Sequence, residues 1–174
     1  MELLSYRDKV CVVTGAASGI GKAVCQQLVE LGAKVYGLDR NEAAIEGLAG
    51  FIATDLSSKE SIDAAFAQLP QAIDCFFGVA GLSGAKTGYW VTFTVNFIAN
   101  KYITETYLEP RMAPGSSIVY VTSCGGLMWE KWSREYKKIM GCKTWEEMVA
   151  FMKKVSPRDG VGVMAYTLSK RAMN

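Results

Sequence analysis

The sequence predicts an α/β fold: a doubly wound parallel sheet with helices on both faces. Three observations carry this. Short apolar runs rich in branched residues alternate with amphipathic stretches at helical spacing. The runs are apolar at consecutive positions, as in strands buried on both faces. The first run ends in a glycine-rich turn that leads directly into a helical pattern.

Taken in order, residues 9–13 (KVCVV) form the first strand and Thr14-Gly15 its turn. Ile20, Val24, Leu28 and Leu31 then recur at helical spacing, and Gly32 supplies a stop. Residues 34–38 (KVYGL) are a second strand and 50–53 a third. Residues 58–69 form a helix opened by serine and closed by Pro70. Residues 73–79 (IDCFFGV) and 117–121 (SIVYV) are the fourth and fifth strands, and 90–109 reads as a long helix despite its β-branched residues. Residues 127–162 interrupt the alternation. There Trp129, Trp132, Tyr136, Ile139, Trp145, Met148, Phe151 and Met152 stand among lysines and glutamates. The pairs Trp132/Tyr136 and Trp145/Met148/Met152 suit two short amphipathic helices, with Gly141 between them and Pro157 after them.

At 174 residues the chain suits one domain, residues 1–174, with ordinary globular composition. The net charge of +2 gives no footprint for nucleic acid, and no apolar run is long enough for a membrane span. Cys11, Cys25, Cys75, Cys124 and Cys142 are scattered and odd in number, which argues for a reducing cytoplasm over a disulfide framework or zinc site. The chain has no histidine. A Ser-His-Asp triad, a histidine metal centre and a histidine base are all excluded, so acid/base chemistry near neutral pH falls to other side chains.

The turn Thr14-Gly15-Ala16-Ala17-Ser18-Gly19-Ile20-Gly21 sits between a strand and a helix. Glycines there let the backbone come close to a pyrophosphate, whose charge meets the helix N-terminus. Asp39 ends the second strand, where a carboxylate can accept from both ribose hydroxyls and repel a 2′-phosphate. This favours NAD over NADP, with Arg40 beside it softening the preference. A simple loop-start aspartate is the alternative. Tyr166 and Lys170 are four residues apart on one helix face, and Tyr166 alone among eight tyrosines has lysine at that spacing. An ammonium beside a phenol favours its phenolate, which can take the proton of an alcohol or return it to a carbonyl. Ser123 can hydrogen-bond the same oxygen. No histidine is present to activate Cys124, which is read as structural, and Lys22 as solvated.

The spacing Thr-Gly-x-x-x-Gly-x-Gly resembles the short-chain dehydrogenase/reductase signature, and further motifs of that family follow in order. They are Asp55-Leu56 after the third strand, Val79-Ala80-Gly81 after the fourth, Asn96 in the next helix, Ser123 past the fifth strand, and Tyr166-x-x-x-Lys170. The resemblance implies a Rossmann-type doubly wound parallel sheet and an NAD(P)-dependent oxidoreductase interconverting an alcohol with a ketone or aldehyde. It implies Asn96, Ser123, Tyr166 and Lys170 as catalytic residues, Asn96 by positioning a water that links Lys170 to solvent. It assigns the cofactor to Gly15, Ala17, Ser18, Gly19, Ile20, Gly21, Asp39, Arg40, Asp55, Leu56, Ala80, Gly81, Tyr166 and Lys170. Lys170 would hold the nicotinamide ribose. A homo-oligomer through the helices carrying Asn96 and Tyr166 is implied for a full-length protein.

Three departures narrow the resemblance. Val79 replaces the usual asparagine, the span from Gly81 to Asn96 is short, and that from Ser123 to Tyr166 is long. The combination resembles the bacterial 3-alpha-hydroxysteroid dehydrogenase/carbonyl reductase subgroup, whose helical insert goes with bulky apolar substrates such as steroids or aromatic carbonyls. Residues 127–162 then read as a substrate lid, with a surface cap or an oligomer contact as the alternative. The sequence ends at Asn174, inside the expected helix, so the last strands of the family fold are expected to be missing and the chain to be C-terminally truncated. A non-catalytic dinucleotide-binding fragment is the alternative function.

Overall fold

A computed structural model describes residues 5–155 and 162–174. Two compact units divide the chain: residues 1–80 with 104–121, and residues 81–103 with 122–174.

The first unit holds the sheet. Its strands are β1 (Val10–Thr14), β2 (Lys34–Asp39), β3 (Gly50–Ala53), β4 (Cys75–Gly78) and β5 (Ser117–Tyr120). All pair in parallel in the order β3-β2-β1-β4-β5. The chain builds outward from β1 on one side and then returns to its other side at β4, so the topological switch lies at the C-terminal ends of β1 and β4. All five expected strands are present, with ends shifted by a residue or two. Cys11, Val12 and Val13 of β1 are fully buried, as a central strand covered on both faces requires. Cys11, Val13, Cys25, Leu28 and Val35 form one core cluster that joins β1 and β2 to helix α1 (Gly19–Glu30). Helix α2 (Lys59–Gln68) is capped by Ser58, whose Oγ accepts from the Ser61 N–H, and it buries Ile62, Ala65 and Phe66. Strand β5 stands at the end of the sheet order, and its Ile118 and Val119 remain 40% and 45% exposed.

The helix expected at residues 90–109 is present but not regular. It runs as α3 (Tyr89–Phe93), a π-helical turn (Thr94–Ile98), α4 (Ala99–Ile103) and a second π-helical turn (Thr104–Leu108). The Gly88 carbonyl before α3 accepts from both the N–H and the hydroxyl of Thr92. In the second unit, α5 (Ser133–Met140) and α6 (Trp145–Val155) are the two expected helices of residues 127–162, and α7 (Gly162–Ala172) follows. Ile139, Trp145, Met148 and Met152 are buried, and Trp145 meets Tyr102 edge-on at 5.5 Å. Pro157 and the Trp132 side chain lie outside the described residues. No helix among the described residues is long and apolar enough to cross a membrane.

Where β4 begins, Asp74 fastens it to β1. Its Oδ2 accepts from the Val10 N–H at 2.8 Å, its Oδ1 pairs with Lys9 at 3.1 Å, and its own N–H donates to the Val10 carbonyl. The Val10 hydrogen bond, and then Lys9, hold the Asp74 carboxyl below the usual carboxylate range. A depressed carboxyl stabilises the fold above its unfolded pKa and loses that contribution as pH falls through its folded value. Asp74→Ala is therefore expected to lower unfolding stability by about 1–2 kcal/mol near pH 7. The gap between variant and parent narrows on acidification, and urea titrations along a pH series measure both effects.

Candidate active site

In the first unit the turn after β1 is shaped by backbone approach. Gly15 has φ +73°, and a Cβ there would lie 2.9 Å from both N and Cα of Ala80, so only glycine fits. A Cβ on Gly21 would fall 2.0 Å from the Gly15 carbonyl oxygen, which brings the first turn of α1 hard against the loop. Gly19, at φ +53°, differs: a Cβ there meets no protein atom within 4 Å. Ser18, Gly19 and Ile20 are exposed around that open side. The Ser18 side chain makes no cap hydrogen bond, and α1 has no acidic residue in its first turn. An N-terminus with free backbone donors and no competing carboxylate fits a pyrophosphate.

Asp39, at the end of β2, holds this loop from the side. Its Oδ2 accepts from the Ala17 N–H and its Oδ1 from the Asn41 N–H, each at 3.0 Å. The Gly15 N–H donates to the Leu38 carbonyl at 2.9 Å, and the Ala80 N–H to the Thr14 hydroxyl at 3.2 Å. Arg40 beside Asp39 is exposed. After β3, the Asp55 Oδ1 accepts from both the N–H and the hydroxyl of Ser57, and Leu56 is buried. The first unit thus gathers Gly15, Ala17, Ser18, Gly19, Ile20, Gly21, Asp39 and Ala80 about one loop, with Asp55 at the neighbouring strand end. Val79 follows β4 directly, with its N–H turned to the Phe77 carbonyl.

The second unit gathers Asn96, Ser123, Tyr166 and Lys170, and also contains the exposed Gly81. Ser123 caps a short 3-10 turn (Cys124–Gly126), and its Oγ accepts from the Gly125 N–H at 3.1 Å. A Cβ on Gly125 would lie 3.4 Å from Tyr166 Cε1 and 3.6 Å from Ser123 Oγ, so hydroxyl and phenol ring flank the same residue. On α7, Lys170 Nζ stands 6.0 Å from the Tyr166 ring centre. Lys170 is 4% exposed, and burial pushes its ammonium below the ordinary lysine range. Its Nζ also approaches Met173 Sδ at 3.9 Å. A hydroxyl and a phenol flanking one residue are groups able to hydrogen-bond a substrate oxygen, and a desolvated cation by the phenol ring favours its ionised form.

Asn96 lies in the first π-helical turn and is fully buried. Its Oδ1 accepts from the Leu82 N–H at 2.8 Å, and its Nδ2 donates to the Leu82 carbonyl at 3.0 Å and to Ser169 Oγ at 3.1 Å. Ser169 in turn donates to the Tyr166 carbonyl at 2.8 Å. Glycines fix the remaining contacts. A Cβ on Gly84 would strike the Gly162 carbonyl at 2.0 Å, and one on Gly126 would lie 2.8 Å from the Lys170 carbonyl. Sequence reasoning singled out none of Leu82, Ser169, Gly84, Gly126 or Gly162. For Ser169 a signal existed, since a small hydroxyl residue immediately before Lys170 and three after Tyr166 faces inward on the helix that carries both. For Leu82 there was none, because only its backbone is used.

The family model for short chain dehydrogenases matches residues 9–137. The chain is 38% identical over 150 residues to a coniferyl-alcohol dehydrogenase from a Pseudomonas species, a match covering 86% of this chain and 58% of that protein. It is 33% identical over 146 residues to human dehydrogenase/reductase SDR family member 11, covering 70% of this chain and 56% of the relative. Among solved structures, the 3-alpha-hydroxysteroid dehydrogenase from Pseudomonas sp. B-0831 complexed with NADH aligns with a TM-score of 0.73 at 24% identity, over 94% of this chain and 62% of that one. The chain thus spans less than two thirds of the length of these relatives. On the match to more than half its residues, with the glycine turn and strand order in agreement, the chain belongs to the short chain dehydrogenase family.

Proposed function

We propose that this chain carries the dinucleotide-binding and proton-transfer parts of an NAD-dependent dehydrogenase that interconverts an aryl-substituted or similarly bulky apolar alcohol with its carbonyl. The observation that carries this is the flanking of Gly125 by the Ser123 hydroxyl and the Tyr166 ring, with the buried Lys170 ammonium on the same helix. The bound nicotinamide would supply or accept the hydride. Tyr166 exchanges the proton of the substrate oxygen, and Ser123 donates a hydrogen bond to the same oxygen as its charge changes. Lys170 stabilises the phenolate and holds the nicotinamide ribose, and Asn96 fixes the groups around them. Gly15, Ala17, Ser18, Gly19, Ile20 and Gly21 hold the pyrophosphate, Asp39 the adenosine ribose, and Asp55, Leu56, Ala80 and Gly81 the flanking parts.

Two features support the substrate class. Leu127 and Met128 follow Ser123, and Val163 and Met164 precede Tyr166; all four are about half exposed or more, apolar side chains of the kind that contact an apolar ligand. The similar Pseudomonas protein is a coniferyl-alcohol dehydrogenase, an enzyme named for an aryl-substituted alcohol. With Ile139, Trp145, Met148 and Met152 buried, those four residues are the exposed apolar side chains nearest Ser123 and Tyr166 in sequence. The free cysteines suit a reducing cytoplasm, and a homo-oligomer remains our proposal for the full-length protein.

Tyr166→Phe is expected to lower kcat by at least about a hundredfold, the lower range for losing a general acid/base, with NADH affinity retained. Steady-state assays with coniferyl alcohol, benzylic alcohols and a hydroxysteroid, set beside calorimetric titration with NADH, check this. Near-normal turnover in that variant removes Tyr166 from the mechanism, and NADH binding without turnover on any alcohol points to a dinucleotide-binding role alone.

Asp39→Asn keeps the shape and an acceptor while removing the charge that repels a 2′-phosphate. It is expected to shift the NADPH/NADH affinity ratio toward NADPH by roughly tenfold, about 1.4 kcal/mol. Calorimetry with both cofactors measures it, and an unchanged ratio removes Asp39 from cofactor choice.

A further inference from the structure

Helix α7 is anchored within the second unit at three levels. At its start, Gly84 and Gly162 meet backbone to backbone, and a Cβ on either would lie 2.0–2.1 Å from a carbonyl oxygen. At its end, Asn174 Nδ2 donates to the Gly126 carbonyl at 3.1 Å. Between them stands Ser169, fully buried, with both roles of its hydroxyl in use: it accepts from Asn96 Nδ2 at 3.1 Å and donates to the Tyr166 carbonyl at 2.8 Å.

We infer that Ser169 is a positioning residue for Tyr166, tying the turn that carries the phenol to the buried amide of Asn96. This rests on the dehydrogenase reading above for its consequence in turnover. Asn96 is a firm reference point. Its side chain clasps both backbone groups of Leu82, and its own carbonyl accepts from Asn100 Nδ2 at 2.9 Å. The Tyr166 carbonyl is also a special place on α7. In α-helical geometry it faces the N–H of the residue four positions on, which is Lys170. A hydroxyl bonded there acts on the one peptide group shared by the turn that joins phenol and ammonium. Without it, the Asn96 amide keeps an unpaired buried hydrogen, and the tyrosine turn loses its hydrogen-bonded tie to Asn96.

The end anchors should keep Ser169→Ala folded, so the loss is expected in precision. With alcohol and NAD, kcat falls about tenfold, in line with a sub-ångström misplacement, while KM and NADH affinity stay within about twofold. Independently of turnover, the chain labelled with meta-fluorotyrosine gives a fluorine NMR resonance for Tyr166, assigned by its loss in Tyr166→Phe. That resonance is expected to shift and broaden in Ser169→Ala. It should return in Ser169→Thr, whose hydroxyl can make the same bond back along the helix. An unchanged resonance in Ser169→Ala overturns the inference, as does an equal disturbance in the threonine and alanine variants. Should the parent chain bind NADH yet turn over no alcohol, the dehydrogenase reading fails while the resonance still decides the anchor.

Discussion

The second unit depends on one buried carboxamide. Asn96 has no exposure, and its side-chain oxygen and both amide hydrogens are engaged by the protein. A buried amide left half-satisfied is costly, so the groups that complete it are held to its geometry. Those groups are the backbone of Leu82 on one side and Ser169 of α7 on the other. The π-helical turn around Asn96 belongs to the same arrangement, because a widened turn changes where a side chain leaves the helix. Both amide hydrogens of Asn96 thus have protein acceptors.

The first unit is governed by a different constraint, the approach of backbone to backbone. Gly15 and Gly21 are glycines because their missing Cβ atoms would overlap Ala80 and the Gly15 carbonyl. Gly19 has no such neighbour, and its need for glycine is in its positive φ and in the open side it leaves above the start of α1. The three glycines of one motif thus answer to three requirements: fit to β4, fit of helix to loop, and access for a ligand. Only the last leaves room for a ligand, and a spacing rule alone does not separate them.

How much was readable from the sequence follows from the same distinction. The strands were readable because burial on both faces leaves consecutive apolar residues, as in Cys11, Val12 and Val13. The helix carrying Tyr166 and Lys170 was readable because spacing of four is a property of the chain itself. The π-helical turns were not, since a single widened turn is too short to show in the periodicity of its residues, and Asn96 within the first one is held by tertiary hydrogen bonds. Leu82 was not readable because backbone groups have no residue-type signature. Gly84 and Gly162 were not because glycine is common, and only a solved approach distinguishes a required one. Within residues 127–162 the periodicity of α5 and α6 was plain. Which apolar residues would be buried was not, and Trp145, Met148 and Met152 proved to be core.

That last outcome bears on substrate recognition. An amphipathic helix has one apolar face, and a face spent on packing is not available to a ligand. Trp145, Met148 and Met152 are buried, and Trp145 stands against Tyr102, so the apolar face of α6 is spent on packing. Besides Met140 at the end of α5, exposed apolar side chains stand at the margins of the segment, in Leu127 and Met128 directly after the Ser123 turn and in Val163 and Met164 directly before Tyr166. Val163 stands one helical turn before Tyr166, so helix geometry sets it on the same face as the phenol. Met128 is further marked by its left-handed backbone, φ +61°, a conformation that costs a non-glycine residue free energy and persists only where its surroundings impose it. Under the function proposed above, these four exposed side chains, near Ser123 and Tyr166 in sequence, are better candidates for substrate contact than the buried Trp145.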